Sequence, residues 1–332
     1  MNDSVGRAAA DSQQRVTLRY LPQSQPRDQW HTRRVALERA NHHHGPHSPA
    51  LPAHQHLLRL LSFALKFFGL YGRGLRNALD ISASNHTLAF DDLPLSFDGY
   101  RILHVTDPHF DALPGITDRL VPILRDHPAD FCILTGDYQA LYGGPHEHIL
   151  GDLRALIDAV EAPDGLVATL GNHDSAAMAD SLEVLGVTVL ANEIITLTRG
   201  SDEIVIAGID DVHYFYSDAS LDVLQSAPHG FKIAAVHSAE LADHAAQAGY
   251  RFYLCGHTHA GQIALPNGQP LVTYLSRMRH LSHGFWNHDG MIGYTSSGVG
   301  TVSIPVRYFT QPEVTVFTLQ RSTESSSTDA IG

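Results

Sequence analysis

The sequence predicts a layered α/β fold, and three observations carry that reading. From about residue 86, short apolar runs of strand length alternate with amphipathic stretches of helix length. Apolar residues make up 43% of the 332-residue chain, enough for a large buried core. Several of the apolar runs stop abruptly at Asp, Asn or His, as strands do when their carboxyl ends feed a site.

In chain order, residues 1–56 are polar and rich in Gln, Arg, His and Pro, and read as a disordered arm. The triplet His42-His43-His44 falls in this arm and is compositional. No apolar run of signal-peptide type lies near the start, and Arg33-Arg34 is followed by too charged a stretch for a twin-arginine export signal. Residues 57–80 read as a basic amphipathic helix. Arg59, Lys66, Arg73 and Arg76 recur at i, i+7, i+14 and i+17, which puts them on one helical face among Leu and Phe residues. Four charges are too many for a spanning helix. Either the helix lies in a membrane interface through residues 57–76, or it packs on the main domain or a second copy. Gly69, Gly72 and Gly74 weaken its C-terminal part.

Residues 86–320 form the main domain. Buried strands are predicted at 101–106, 130–136, 165–171, 205–209, 232–237 and 251–256, and helices at 115–127, 149–161, 176–185 and 239–248. Residues 321–332 read as a solvated tail. Cys132 and Cys255 sit inside apolar runs, so they read as buried thiols rather than a disulfide framework, compatible with a reducing, cytoplasmic setting. The net charge is −13, divided as +6 over residues 1–80 and −19 over the rest. An acidic body argues against a nucleic acid as a structural partner, while the basic arm favours an anionic one.

The chemistry sits at the strand ends. Asp107 and His109 follow the first predicted strand, Asp137 the second, Asn172-His173-Asp174 the third, His237 the fifth, and His257 and His259 the sixth. Singly, each is modest: Asp-x-His also reads as a capped turn, and a lone His237 reads as a core histidine. Together they form a set of hard and borderline ligands. Two divalent ions about 3.5–4 Å apart need a bridging carboxylate and several terminal ligands, and such a pair clamps a phosphoryl group and turns water into a nucleophilic hydroxide near neutral pH.

The series Asp107-Pro108-His109, Gly136-Asp137, Gly171-Asn172-His173-Asp174, His237 and Gly256-His257-Thr258-His259 resembles the calcineurin-like metallophosphoesterase superfamily over about residues 98–318. The stretches Phe97-Asp98-Gly99-Tyr100-Arg101-Ile102, Ala260-Gly261-Gln262, Ser297-Gly298-Val299-Gly300, Ile304-Pro305-Val306-Arg307 and Pro312-Glu313-Val314 resemble the bacterial YkuE/YaeI-type branch, which includes membrane-associated phosphodiesterases. Pro108 and Ala260 depart mildly from that pattern.

The resemblance implies a four-layer α/β/β/α sandwich, here with an N-terminal amphipathic helical extension. It implies that Asp107, His109 and His259 hold one divalent metal, that Asn172, His237 and His257 hold the other, and that Asp137 bridges them. Manganese, iron and zinc all suit this donor set. It implies that His173 gives a proton to the leaving oxygen and that Asp174 orients His173.

The expected activity is hydrolysis of phosphodiester or pyrophosphate bonds by metal-bridged hydroxide. The substrate would be a phosphoester, lipid-linked under the membrane reading of residues 57–76, with the enzyme peripheral on the inner face of a membrane. A phosphomonoesterase or nucleotidase with the same centre is the enzymatic alternative, and a catalytically silent metal-binding scaffold the alternative of another class. Substrate-side candidates are the loop 142–148, with His146 and His148, and the loop 276–289, with Arg277, Arg279, His280, His283, Phe285, Trp286 and His288. Arg307 is open to a structural or a phosphate-binding role.

Overall fold

The computed structural model describes residues 16–21, 25–41 and 52–322. In chain order the elements are β1 (Thr17–Tyr20), α1 (Arg27–Asn41), α2 (Pro52–Phe67), α3 (Tyr71–Ala78), β2 (Ser82–Phe90), β3 (Arg101–Val105), α4 (Ile116–Asp126), β4 (Phe131–Leu134), α5 (Leu150–Ala159), β5 (Leu166–Ala168), α6 (Ala176–Val184), β6 (Thr188–Val189) and β7 (Glu193–Arg199). They continue with β8 (Asp202–Gly208), α7 (Asp218–Ser226), β9 (Phe231–Ala235), α8 (Ala242–Gln247), β10 (Phe252–Cys255), β11 (Gly284–His288), β12 (Met291–Thr295) and β13 (Glu313–Arg321).

Among the described residues the strands make two sheets, ordered β1-β7-β8-β9-β10-β12-β11 and β2-β13-β3-β4-β5-β6. Strand alternation explains how they stack, because successive side chains point to opposite faces. Phe131 and Ile133 of β4 meet Phe252 and Leu254 of β10 in the core between the sheets. Cys132 and Leu134 turn the other way, onto Leu120 and Leu124 of α4 and Leu153 and Leu156 of α5. On the far side, Tyr253 and Cys255 of β10 pack with Val223 and Leu224 of α7 and Ala242 and Ala245 of α8. The result is the four-layer α/β/β/α sandwich. Neighbours β3, β4 and β5 run parallel, as do β8, β9 and β10, so in each sheet these carboxyl ends share one edge.

Two N-terminal expectations need correction. The composition assigns residues 1–56 to a disordered arm, yet β1 pairs antiparallel with β7, and α1 docks beside α6. The cause is local. Trp30, Arg34 and Glu38 recur at i, i+4 and i+8, one face of a helix. Trp30 and Arg34 are buried, and Glu38 accepts the Ala176 N–H at the start of α6 (2.6 Å). The triplet 42–44 lies outside the described residues, as does the tail from residue 323 onward, while Arg321 completes β13.

The single helix expected over 57–80 is instead two, α2 and α3, broken at Gly69 (φ 68°). Leu65 and Leu75 pack on Ile304 and Val306, while Leu60, Phe63, Phe67 and Phe68 stay exposed. No helix among the described residues is long and apolar enough to cross a membrane.

Gly74 is required by close approach: a Cβ there would lie 2.6 Å from Val306 Cβ. Gly74→Ala should therefore lower stability by ~1–3 kcal/mol, the usual cost of overpacking, read as a lower urea midpoint with an unchanged slope. Burial also pushes the Cys255 thiol up to about 12 and raises that of Cys132. A thiol reagent at pH 8 should label neither cysteine in the native protein and both in denaturant; native labelling would contradict this packing.

Candidate metal centre

Each strand end delivers its residues by a sharp turn. Asp107, His109, Asp137, His257 and His259 all have positive φ, between 41° and 71°, although none is glycine. Such backbone costs about 1 kcal/mol or more per residue and persists where surrounding structure enforces it. Glycines make room around them. A Cβ on Gly171 would lie 2.1 Å from Asp137 Oδ1, and one on Gly256 would lie 2.1 Å from Asp107 Oδ2. Ala260 also sits in the left-handed region (φ 49°), which explains why glycine suits that position.

The turns gather the seven strand-end residues into two adjoining groups. Ligand atoms of Asp107, His109 and His259 lie within 4.8 Å of one another, and so do those of Asp137, His237 and His257. Asn172 Oδ1 joins the second group, 3.1 Å from His237 Nε2 and 2.9 Å from His257 Nδ1. Asp137 Oδ2 stands between the groups, 3.6 Å from His109 Nε2 and 3.3 Å from His237 Nε2. All seven side chains are buried.

The donor set fits divalent cations. His109 Nδ1–H donates to the Gln139 carbonyl and His237 Nδ1–H to the Thr135 carbonyl, both at 2.8 Å. Each bond leaves Nε2 with a free lone pair aimed inward, the arrangement of metal-binding histidines. His109 Nε2 and His259 Nε2 face each other at 3.1 Å, as two lone pairs do around a shared cation.

The electrostatics agree. Burial raises the Asp107 carboxyl to about 6. Burial opposes the Asp137 carboxylate too, but His237 and His173 outweigh it and hold it well below its ordinary range. Burial likewise opposes a charged His237, and Asp137 and Asp107 outweigh it. His257 and His259 are held well below normal, by burial first and then by neighbouring histidines. Two buried carboxylates among four imidazoles thus retain positive charge, which divalent cations would supply more fully.

His173 lies at the mouth, less buried than the seven. Its Nδ1–H donates to the Ala140 carbonyl (2.8 Å), and Nε2 is 4.0 Å from Asp137 Oδ2. Asp174 does not orient the His173 ring, contrary to the sequence expectation. Its carboxylate accepts the backbone N–H groups of Asp137 (2.7 Å), Tyr138 (2.9 Å) and Gly171 (2.8 Å). Three backbone donors clustered at the crossing of two turns outcompete a single imidazole, so Asp174 ties the Asp137 turn to the 171–174 turn. Arg307 is fully buried and donates to the carbonyls of Ser297 (2.7 Å) and Gly300 (2.6 Å), with the His259 carbonyl at 3.5 Å. Its role is structural.

Most substrate-side candidates point elsewhere. His146 bonds Ser181 on α6, and His148 pairs with Asp111. Arg279 donates to the Leu275 carbonyl and Trp286 to Thr295, whereas Arg277, paired with Asp243, lines a cleft beside the site. Phe285 packs on His86 and Tyr294. Of the 142–148 loop, Tyr142 does reach the site, packing edge-on against His173 (5.9 Å) and Tyr214 (5.5 Å). His213 lies 4.8 Å from the His257 ring and pairs with Glu240 (3.2 Å). A cleft of about 300 Å³ opens there, lined by His213, Tyr216, Glu240 and Arg277 among others. The signal for His213 was present: the fourth apolar run also ends in acids and a histidine, Asp210-Asp211-Val212-His213.

Comparison with known proteins agrees with this geometry. Residues 100–261 match the calcineurin-like phosphoesterase family. The uncharacterized metallophosphoesterase YkuE of Bacillus subtilis (strain 168) is 29% identical over 254 residues, 72% of this chain and 86% of that one. The uncharacterized metallophosphoesterase YkoQ of the same organism is 28% identical over 266 residues, 77% of this chain and 97% of that one. The matched stretch runs from Tyr100 through all seven strand-end residues to Gly261. Residues 100–261 are therefore similar to the calcineurin-like phosphoesterase family, and the chain is similar to YkuE-type metallophosphoesterases, which supports a metal-dependent phosphoesterase.

Proposed function

We propose that the chain hydrolyses phosphodiester or pyrophosphate bonds at a dinuclear centre, on a substrate held at a membrane surface. The observation that carries the chemistry is the position of Asp137 Oδ2 between the two ligand groups, with His173 Nε2 beside it. Asp107, His109 and His259 would hold one divalent ion, and Asn172, His237 and His257 the other, with Asp137 shared. Bound there, the ions would supply positive charge to the phosphoryl oxygens and water of lowered pKa. The Asp137 and Asp107 carboxylates would offset the repulsion between two such positive charges. His173, fixed through Nδ1 by the Ala140 carbonyl, presents Nε2 to give a proton to the leaving oxygen. Tyr142 and Tyr214 wall the mouth and restrict water.

A diester is favoured over a monoester by charge. The buried guanidiniums beside the cluster, Arg34 and Arg307, spend their hydrogens on backbone carbonyls and on Asp210. They leave little for the second negative charge of a monoester. The membrane reading is supported by surface chemistry. Leu60, Phe63 and Phe67 of α2 and the following Phe68 are exposed, and Leu61 of α2 meets a second exposed apolar group, Leu271, Val272 and Tyr274. A groove lined by Leu61, Gln262, Leu271 and Val272 joins the two, three residues from His259. Exposed Arg59, Lys66, Arg73 and Arg76 complement anionic headgroups.

The catalytic reading predicts Mn²⁺-dependent hydrolysis of bis(p-nitrophenyl) phosphate, faster than that of the matched monoester. Asp137→Asn and His173→Ala should each lower kcat by about 10²–10³-fold; parental activity in Asp137→Asn would sink the mechanism. The membrane reading predicts that the protein floats with vesicles containing phosphatidylserine. Phe63→Ser/Phe67→Ser should abolish flotation without changing turnover of the soluble diester, and undiminished flotation would show that α2 is not the anchor.

A further inference from the structure

Arg34 is a charged residue with no exposed surface, on a helix that lies outside the family-matched segment. Burying a guanidinium is costly unless it is paired, and here both terminal nitrogens are spent on the centre's own scaffold while Nε lies 3.5 Å from Glu38. One terminal nitrogen donates to the carbonyls of Gly171 (3.0 Å) and Asp174 (2.7 Å), which bracket Asn172 and His173. The other donates to Asp210 Oδ1, just beyond β8. The guanidinium lies 3.5 Å over the Phe215 ring. Asp210 is in turn held by Trp30 Nε1–H (2.8 Å), one turn earlier on α1. Arg34 therefore spans from the end of β5 in one sheet to the end of β8 in the other.

We propose that Arg34 is a positioning residue for the 171–174 turn, and that α1 is a strap that completes the metal centre. The turn is short and crowded, because a Cβ on Gly171 would strike Asp137. Its geometry is held from inside by Asp174, which takes three backbone N–H groups, and from outside by Arg34, which gives to two carbonyls. Glu38 adds a third hold by accepting the Ala176 N–H just beyond the turn. Without Arg34 the Gly171 and Asp174 carbonyls lose their charged donor, and the buried Asp210 carboxylate keeps Trp30 and the Asp211 N–H but loses its cation. The turn then relaxes, carrying Asn172 Oδ1 away from His237 and His257, and His173 away from Asp137. The planar fork explains why arginine rather than lysine is needed: a single ammonium cannot reach both carbonyls and Asp210 in fixed directions.

This inference rests on the proposed dinuclear centre, so the test reads metal as well as turnover. Full-length Arg34→Met, Arg34→Lys and the surface control Arg39→Ala would be loaded with Mn²⁺, desalted and assayed for retained Mn²⁺, thermal unfolding and bis(p-nitrophenyl) phosphate kinetics. Arg39 is on the same helix and exposed, so its variant should match the parent. Arg34→Met is expected to retain about one Mn²⁺ fewer per chain and to lose kcat by about 10–100-fold, the usual scale for supports of metal ligands, with KM little changed and partial rescue by millimolar guanidinium. A lower melting temperature with parental Mn²⁺ and kcat would mean a purely structural role and overturn the proposal. If Arg34→Met does not fold, Arg34→Lys decides: parental Mn²⁺ and kcat there overturn it, and loss of both upholds it. A parent that binds Mn²⁺ but cleaves no phosphodiester would sink the functional reading, while the Mn²⁺ comparison would still test Arg34.

Discussion

The fold is organised around one carboxylate. Asp137 Oδ2 stands within 3.6 Å of imidazole nitrogens from both ligand groups, buried where the two sheets meet. A buried carboxylate is tolerable only when surrounded by donors or cations. Here the surroundings arrive from four other strand ends, those of β3, β5, β9 and β10. That convergence requires the parallel pairing of β3-β4-β5 and β8-β9-β10, which brings their carboxyl ends to one edge. It also requires abrupt turns, and the five left-handed ligand residues are where that demand appears as strain. The large apolar cores on either side of the sheets supply the stability that lets the edge stay strained.

Strain of this kind needs support behind it, and the support is polar. Asp174 collects three backbone N–H groups from two turns, and Arg307 collects carbonyls from the 297–300 segment beside His259. The two residues are complementary in chemistry. A carboxylate can only accept, so it gathers N–H groups, while a guanidinium can only donate, so it gathers carbonyls. Turns expose both kinds of group, so a centre built from turns uses both kinds of clamp.

The strand ends were legible in the sequence because each candidate ligand directly follows an apolar run, and strands buried on both faces make such runs continuous until they stop. Cys132 and Cys255 were legible as buried for the same reason. What escaped has a common physical origin. Asp174 and Arg34 act on backbone groups, and backbone groups have no signature in a list of residue types. Histidines 146 and 148 looked like site residues by composition, but their direction is set by α6 and Asp111, which lie far from them in the chain. The ordered α1 was missed because its docked face mixes Trp, Arg and Glu, so it carries no apolar stripe. His213 follows the same strand-end rule as the ligands and could have been read.

The N-terminal helices bear on the centre through short rigid links rather than through the bulk of the fold. In residues 306–308, consecutive side chains face different ways. Val306 fits beneath Gly74 of α3, while Arg307 turns inward to the carbonyls beside His259. The backbone joins in: the Arg307 N–H donates to the Gly74 carbonyl (3.1 Å), and Asn77 donates to the Arg307 carbonyl (2.9 Å). Any load on α2 and α3 therefore reaches the residue that props His259, within one helical turn of contact. The exposed apolar face of α2 is the natural place for such a load, since it has no cover among the described residues and borders the segment that follows His259. A helix that served only to enlarge the core would have turned Phe63 and Phe67 inward. This one turns Leu65 inward onto Ile304 and Val306 and leaves the larger Phe63 and Phe67 out, so its grip on the domain uses one face alone.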